Sequence, residues 1–364
     1  MKKKKTGIII GIVLAVVLIA GGTVAYALLP HPLNYKIKDI ASVGSSVQIV
    51  SREEDEVVIR KDGEDFKVLA FTDMHLDGKN GTSYLTVDNF VRNITDEKPD
   101  LVILGGDTVT SAFNKKRTNQ FGEILEKLGV YWAGGLGNHE GDNKFSLTRD
   151  KMFEIFMSYD HCLFRKGQDG LFGVGNYALV ILNGDDTVKQ VYYFLDTGDE
   201  MSAELKTEYG VPAEDDPYDG VKKDQVAWYT AKNEELKEKY GDFRSTVVVH
   251  IPIYQMDAAA EEETFLYGEK LENVCAAGFD SGFFDAMKKG GTTQAVFFGH
   301  DHLNTFGVEK DGILLSYLQP SGYGSYTAAS RLGYEEKDWL QGYTVFGLGE
   351  DGSFTSEFVR NSAK

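Results

Sequence analysis

Short apolar runs alternate with amphipathic stretches along the first half of the chain. Phe66 to Phe71 is predicted to be a strand, and Val87, Phe90, Val91 and Ile94 follow the spacing of a helix with one buried face. Similar runs predict strands at 47–50, 57–59, 101–104, 130–133, 191–195, 246–249 and 295–298, helices around 121–128, 152–157 and 224–240, and a C-terminal hairpin over 343–348 and 354–359. This order predicts an α/β fold of layered sheets with helices outside.

The first 29 residues differ in composition from the rest. Lys2 to Lys5 precede an uncharged, mostly apolar run from Thr6 to Leu29, which is long enough to span a bilayer as a helix. Basic residues before such a run keep the N-terminus in the cytoplasm. The same residues fit a secretory peptide cleaved near Ala27. We favour a single-pass anchor in the cell membrane over secretion, and both interpretations place the rest of the chain outside the cytoplasm.

Three segments follow from these patterns. Residues 1–29 are the membrane anchor or signal peptide, residues 30–61 are a linker with leading strands, and residues 62–364 are one globular domain, because no internal repeat or Pro/Ser-rich linker divides them. Cys162 and Cys275 have no metal-binding or redox spacing. An oxidising compartment would permit a disulfide between them, but their spacing does not show whether one forms, and we expect Cys275 to pack as an ordinary buried side chain.

Acidic residues dominate the part beyond the leading lysines. With Lys2 to Lys5 set aside, 34 basic and 56 acidic side chains remain, a net charge of −22. A surface of this charge repels phosphate backbones, so we expect no nucleic acid partner.

Five of the seven histidines fall in four short motifs, each after an apolar run. A fifth run ends in Gly105-Gly106-Asp107. The histidine motifs are Asp73-Met74-His75, Gly137-Asn138-His139-Glu140, His250, and Gly299-His300-Asp301-His302. Imidazole, carboxylate and amide groups together are ligands for divalent metals. Since open α/β sheets bind ligands at the carboxyl ends of their strands, the motifs predict a metal-dependent enzyme.

The spacing leaves several assignments open. Asp73 and His75 are alternate residues and could share one metal in an extended strand. His300 and His302 could do the same, or could serve two adjacent metals. His250, taken alone, also fits a buried core histidine.

The ordered set of motifs resembles the calcineurin-like metallophosphoesterase superfamily over about Phe66 to Pro320. Shorter runs at 194–199 and 225–228 are similar to the branch related to purple acid phosphatases. One departure concerns Thr110, which stands where purple acid phosphatases carry a tyrosine that binds ferric iron. The resemblance therefore implies a metallophosphoesterase domain over residues 62–364, with a four-layer αββα sandwich of two mixed β-sheets, and no tyrosinate-bound iron.

The resemblance also implies two divalent metal ions, which could be Mn, Fe or Zn. Asp73, His75 and His302 would hold the first, Asn138, His250 and His300 the second, and Asp107 would bridge them. A hydroxide acidified by the metals would attack phosphorus in line. His139 would act on the substrate as an acid or a charge-stabilising group, and Glu140 would orient His139.

These roles imply hydrolysis of phosphate monoesters on a small molecule or a phosphoprotein. Small diesters, such as a cyclic nucleotide or a lipid head group, are the alternative. A non-catalytic metal-binding envelope protein is the third hypothesis. We expect specificity to reside in segments 198–221 and 255–280, and in the Gly- and Tyr-rich segment 320–326 that follows the last motif.

Overall fold

A computed structural model describes residues 33–63, 65–77, 80–142, 145–335, 340–349 and 353–361. The predicted anchor or signal peptide over residues 1–29 lies outside these ranges. Among the residues described, no helix has both the length and the apolar character needed to cross a membrane.

Thirteen strands form two sheets in the described part of the chain. The larger sheet has the order β1-β2-β6-β7-β8-β9-β11-β10, and the smaller has the order β13-β12-β3-β4-β5. Their bounds are β1 Gln48–Arg52, β2 Glu56–Arg60, β3 Phe66–Phe71, β4 Leu101–Gly105, β5 Tyr131–Gly135, β6 Tyr177–Leu182, β7 Val188–Phe194, β8 Ser245–Val248, β9 Thr293–Phe298, β10 Gly307–Lys310, β11 Ile313–Tyr317, β12 Gly342–Leu348 and β13 Phe354–Arg360.

Both sheets are mixed. In the smaller sheet β3, β4 and β5 are parallel, while β12 and β13 form the predicted antiparallel hairpin at one edge. In the larger sheet the parallel pairs are β2 with β6, β7 with β8, β8 with β9, and β9 with β11. The leading strands β1 and β2 extend this larger sheet, because β2 pairs along its length with β6.

Eight helices connect the described strands, besides one 3-10 turn at Ile37–Asp39. They are α1 Asn80–Glu97, α2 Lys115–Leu128, α3 Arg149–Met157, α4 Ala203–Tyr209, α5 Lys223–Tyr240, α6 Gln255–Glu262, α7 Phe283–Gly290 and α8 Ala328–Leu332. As the sequence predicts, α2 ends at Gly129, whose φ of 69° is the left-handed conformation that glycine adopts readily.

The alternation of side chains along the large sheet separates two hydrophobic cores. Tyr192 and Phe194 of β7 pack in one core with the smaller sheet and helices α1 to α3. Val191 and Tyr193 point to the other face and pack with helices α5 to α7. The predicted α/β architecture of two mixed sheets flanked by helices is therefore confirmed. Both cysteines are free thiols, and Cys162 is buried.

Candidate metal centre

Every predicted ligand follows the carboxyl end of a strand. Three of these strands, β3, β4 and β5, belong to the smaller sheet, and two, β8 and β9, belong to the larger sheet. The centre therefore lies where the corresponding edges of the two sheets meet. The candidate ligands are Asp73 and His75 after β3, Asp107 after β4, Asn138 after β5, His250 after β8, and His300 and His302 after β9.

Four of these ligands have a left-handed backbone that side chains rarely adopt. The φ angles are 53° at Asp73, 43° at His75, 51° at Asp107 and 75° at His300. Such conformations cost about 1–3 kcal/mol each and cluster at functional sites. Gly106 has a φ of 100°, and a Cβ there would lie 2.5 Å from Nδ1 of His250. The loops are therefore shaped to bring donors together rather than to follow the lowest-energy backbone.

The first predicted ligand set is gathered in one place. Asp73, His75, Asp107 and His302 are buried, and one donor atom from each lies within 4.8 Å of all the others. Nε2 of His75 is 3.0 Å from Nε2 of His302 and 3.3 Å from Oδ2 of Asp107. Nε2 of His302 is 3.4 Å from Oδ1 of Asp73. This is the set that the resemblance assigns to the first metal, with Asp107 added.

The second set adjoins the first. Oδ1 of Asn138 lies 3.1 Å from Nε2 of His250 and 2.9 Å from Nδ1 of His300. Nε2 of His250 lies 3.3 Å from Oδ2 of Asp107. The Asp107 carboxylate is thus close to members of both sets, as a bridging ligand must be.

The donor set fits a pair of cations. Oδ2 of Asp107 is fully buried and makes no hydrogen bond, yet it lies 3.3 Å from one imidazole of each set. A buried carboxylate oxygen without a hydrogen-bond partner is costly unless a cation binds it. Nε2 atoms of two histidines facing each other at 3.0 Å are likewise placed to share one cation.

Electrostatics keeps three of the candidate ligands, His75, His300 and Asp73, in their metal-binding forms. Burial lowers the pKa of His75 to about 4 and that of His300 to about 3, so both imidazoles are neutral at pH 7. Burial alone would raise the pKa of Asp73, but the imidazoles of His302 and His250 outweigh it and hold the pKa at about 2. The carboxylate is therefore ionised.

Hydrogen bonds to carbonyl oxygens fix the orientation of two ligands. Nδ1 of His250 donates to the carbonyl of Gly105 at 2.9 Å, and Nδ1 of His302 donates to the carbonyl of Tyr326 at 3.2 Å. Each bond holds a ring proton on Nδ1, so Nε2 is the nitrogen that faces the centre. Burial alone would lower the pKa of both rings, but the neighbouring carboxylates outweigh it and raise the pKa of His250 to about 10 and that of His302, so binding of a metal at Nε2 would release a proton from each ring. The role of His250 as a ligand, which its sequence context left open, is favoured by this geometry.

His139 stands at the entrance of the centre. Its side chain is 45% exposed, and its ring centroid lies 5.5 Å from that of His75. Its backbone N–H donates to Oδ1 of Asp107 at 2.9 Å. Nδ1 pairs with the Asp142 carboxylate, and this hydrogen bond is the main cause that raises the pKa of His139 to about 9. His139 is therefore protonated at neutral pH and accessible.

The predicted role of Glu140 is wrong in its detail, because the carboxylate binds backbone and does not orient His139. Its oxygens accept N–H bonds from Asp107 at 3.0 Å and from Gly137 at 2.7 Å, and further ones from Thr108 and Val109. Asp142 is the carboxylate that pairs with His139. The physical reason is direction: Glu140 is buried and points back into the loop of the bridging aspartate, whereas His139 points outward.

An ion pair that the sequence did not predict lies behind the same loop. Arg149, at the start of α3, donates to the carbonyl of Gly137 and pairs with Asp196. Asp196 in turn accepts from the backbone N–H groups of Val174 and Gly198 at 2.9 Å. The loop that carries Asn138 and His139 is thereby tied to the large sheet. Asp196 lies in the run 194–199, which is similar to the branch related to purple acid phosphatases, but nothing in the sequence indicates Arg149 as its partner.

The three segments predicted to set specificity all contact the centre. The Tyr218 ring meets the His300 ring edge-on at 4.2 Å. The backbone N–H of Cys275 donates to Asp301, which separates the last two ligands, at 3.1 Å. Tyr326 stacks on His302 at 4.3 Å with an angle of 9° between the rings.

The chain belongs to the calcineurin-like phosphoesterase family, whose model matches residues 66–304, and the resemblance read from the motifs is confirmed. Among curated relatives, "Probable inactive purple acid phosphatase 14" of Arabidopsis thaliana is 31% identical over 298 residues, covering 72% of this chain and 71% of the relative. "Probable inactive purple acid phosphatase 29" of the same plant is 28% identical over 299 residues, 73% and 74% of the two chains. Among solved structures, a dimetal phosphatase from Danio rerio is 13% identical with a TM-score of 0.45, covering 80% of this chain and 98% of that one.

Proposed function

We propose that this chain is a phosphomonoesterase that works with two divalent metal ions. The observation that carries the proposal is the convergence of seven donor residues, among which Oδ2 of Asp107 is buried, makes no hydrogen bond and lies 3.3 Å from one imidazole of each set. Asp73, His75 and His302 would hold the first ion, Asn138, His250 and His300 the second, and Asp107 both.

When bound, such ions polarise a phosphoryl oxygen and acidify water, and Mn, Fe or Zn each suits these nitrogen and oxygen ligands. The protein's own contribution comes from His139. Asp142 occupies Nδ1 and keeps the imidazole protonated, so Nε2 is the nitrogen left for the substrate. In that position it neutralises charge on the phosphate or gives its proton to the departing oxygen of the ester.

A second candidate is a metal-binding protein without turnover. It is favoured by one observation, the word "inactive" in the names of the two plant relatives. The complete ligand set and the exposed, protonated His139 favour the enzyme. The two candidates differ in one measurable way, since both bind metal and only the enzyme releases phosphate.

The substrate class and the location of the enzyme are part of the same proposal. A small phosphate monoester or a phosphoprotein fits an extracytoplasmic enzyme that is attached to the membrane by residues 1–29, and the net charge of −22 beyond Lys5 disfavours nucleic acid. Membrane fractionation of the full chain, followed by protease treatment of intact cells, tests the location. Recovery of the chain in the soluble cytosolic fraction would contradict it.

An assay panel tests the activity. Purified protein is loaded separately with Mn²⁺, Zn²⁺ and Fe²⁺ and given phenyl phosphate as a monoester and diphenyl phosphate as a diester. We expect phosphate release from the monoester, loss of activity in Asp107→Asn, and a strong decrease in His139→Ala. His161→Ala is the matched control. His161 pairs with Glu126 at a distance of 2.8 Å, and neither residue is a candidate ligand. Metal binding without release of phosphate or phenol would favour the second candidate, and faster diester hydrolysis would identify a phosphodiesterase.

A further inference from the structure

Two loops leave the metal centre side by side. One runs from Asp107 to the start of α2, and the other from His139 to the start of α3. They are joined at their far ends by hydrogen bonds from the Phe113 N–H to the Phe145 carbonyl at 3.2 Å and from the Ser146 hydroxyl to the Ser111 carbonyl at 3.2 Å. The side chain of Asn114 accepts the Leu147 N–H at 2.8 Å. The two loops thus form one structure.

This structure carries a pair of exposed aromatic rings. Phe113 and Phe145 stack with their centroids 5.0 Å apart and an angle of 5° between their planes. Phe113 is 43% exposed and Phe145 is 61% exposed, the largest value for a large hydrophobic side chain in the described ranges. We call these two residues the phenylalanine stack. Outside the core, it adds little to the burial of apolar surface on folding.

The backbone of the stack is also strained. Phe113 has a φ of 51°, in the left-handed region where bulky residues are rare. A glycine or asparagine would adopt this conformation at lower cost. An aromatic residue that is both strained and exposed is therefore not explained by stability, and such outliers point to a functional site.

The stack lies close to His139. Asp142 pairs with the His139 ring. A Cβ placed on Gly141, two residues after His139, would lie 3.9 Å from the carbonyl oxygen of Leu147, two residues after Phe145. His139 is the group that would meet the departing oxygen of the ester. The organic part of the substrate begins at that oxygen, so the phenylalanine stack lies within reach of this organic part.

We propose that the phenylalanine stack binds the ring of an aryl phosphate monoester, the chemistry that a phosphorylated tyrosine side chain presents. This inference rests on the proposed phosphomonoesterase function. Flat, exposed rings gain from contact with another aromatic ring, and the phosphate ester of a serine or threonine, which carries no ring, would gain little from them. In the reaction the bond from phosphorus to the aryl oxygen breaks and a bond from phosphorus to a water oxygen forms. The aryl oxygen takes the proton from Nε2 of His139, one proton of the water restores the protonated His139, and the other stays on the phosphate, so the products are a phenol and inorganic phosphate.

The experiment compares 2-naphthyl phosphate with phenyl phosphate. Both release a phenol-type alcohol, so the chemical step is similar and the two esters differ mainly in ring area. We expect the wild type to have the higher kcat/KM for the naphthyl ester. Phe145→Ala and Phe113→Gly remove the stack without touching the core, and Leu266→Ala, which truncates a side chain that is 58% exposed elsewhere, is the control. Both stack variants should lose the preference by roughly three- to tenfold through KM, with kcat retained.

A binding measurement separates this inference from the proposed function. Calorimetry with the non-hydrolysable 2-naphthylphosphonate on Mn²⁺-loaded protein should show weaker binding in both stack variants, and unchanged binding in Leu266→Ala. Stack-dependent binding without turnover would support the inference while contradicting the proposed function. Turnover with the same naphthyl preference and the same phosphonate affinity in wild type and stack variants would overturn the inference and leave the proposed function standing.

Discussion

Substitution of Glu140 by glutamine tests how the loops of the centre are held. The Glu140 carboxylate is 1% exposed and accepts four backbone N–H groups, two on each oxygen. Glutamine has the same shape, but its NH₂ group replaces one acceptor oxygen and faces two donors. Two buried N–H donors then lose their acceptor, at about 1–3 kcal/mol each, which gives a destabilisation of about 2–6 kcal/mol. Burial raises the pKa of Glu140 to about 7, so the comparison is made at about pH 8, where the carboxylate of the wild type is ionised.

Urea unfolding of the metal-free protein measures this loss. The m-value should stay constant while the midpoint falls. Glu126→Gln is the matched control, because Glu126 accepts two hydrogen bonds from His161 at a partly exposed position, where we expect less than about 1 kcal/mol. If Glu140→Gln unfolds within about 1 kcal/mol of the wild type, the carboxylate does not hold the loop, and this reasoning is refuted.

Three further predictions follow from the same geometry. Asp142→Asn should lower the pKa of His139 from about 9 towards that of a free histidine, so that the imidazolium form is lost at lower pH. NMR titration of the metal-free variant measures this pKa, and an unchanged value would exclude Asp142 as the partner. Tyr326→Ala should weaken one of two Mn²⁺ binding events by about tenfold, since the Tyr326 ring stacks on His302. Calorimetry measures both events, and an equal change in the two affinities would contradict a role of Tyr326 at one metal site. Arg149→Met should weaken Mn²⁺ binding at the other site, because Arg149 ties the loop of Asn138 to Asp196, and unaltered binding would show that the loop is held without it.

The positions of the candidate ligands could be predicted from the sequence because each is tied to a local signal. A strand of apolar residues followed by Asp, Asn or His fixes which end of the sheet a side chain occupies, and Asp107 and His250 both lie there as expected. The order of the motifs added the grouping into two sets. Strand and helix positions were predictable for the same reason, since hydrophobic periodicity is local.

The supporting contacts could not be predicted, because they depend on the path of loops through space. Glu140 lies beside His139 in sequence but turns away from it, and Asp142 takes the place that Glu140 was expected to fill. Arg149 meets Asp196 from a separate element, and Phe113 meets Phe145 across two loops. None of these pairs leaves a periodic or motif-like signal in the sequence.

The central claim is that Asp107 bridges two metal ions. Anomalous diffraction from crystals of the Mn²⁺-loaded protein tests it directly. We predict two peaks about 3.5–4 Å apart, one among Asp73, His75 and His302 and the other among Asn138, His250 and His300, with the Asp107 carboxylate between them. One peak alone, or two peaks that do not share Asp107, would contradict the account.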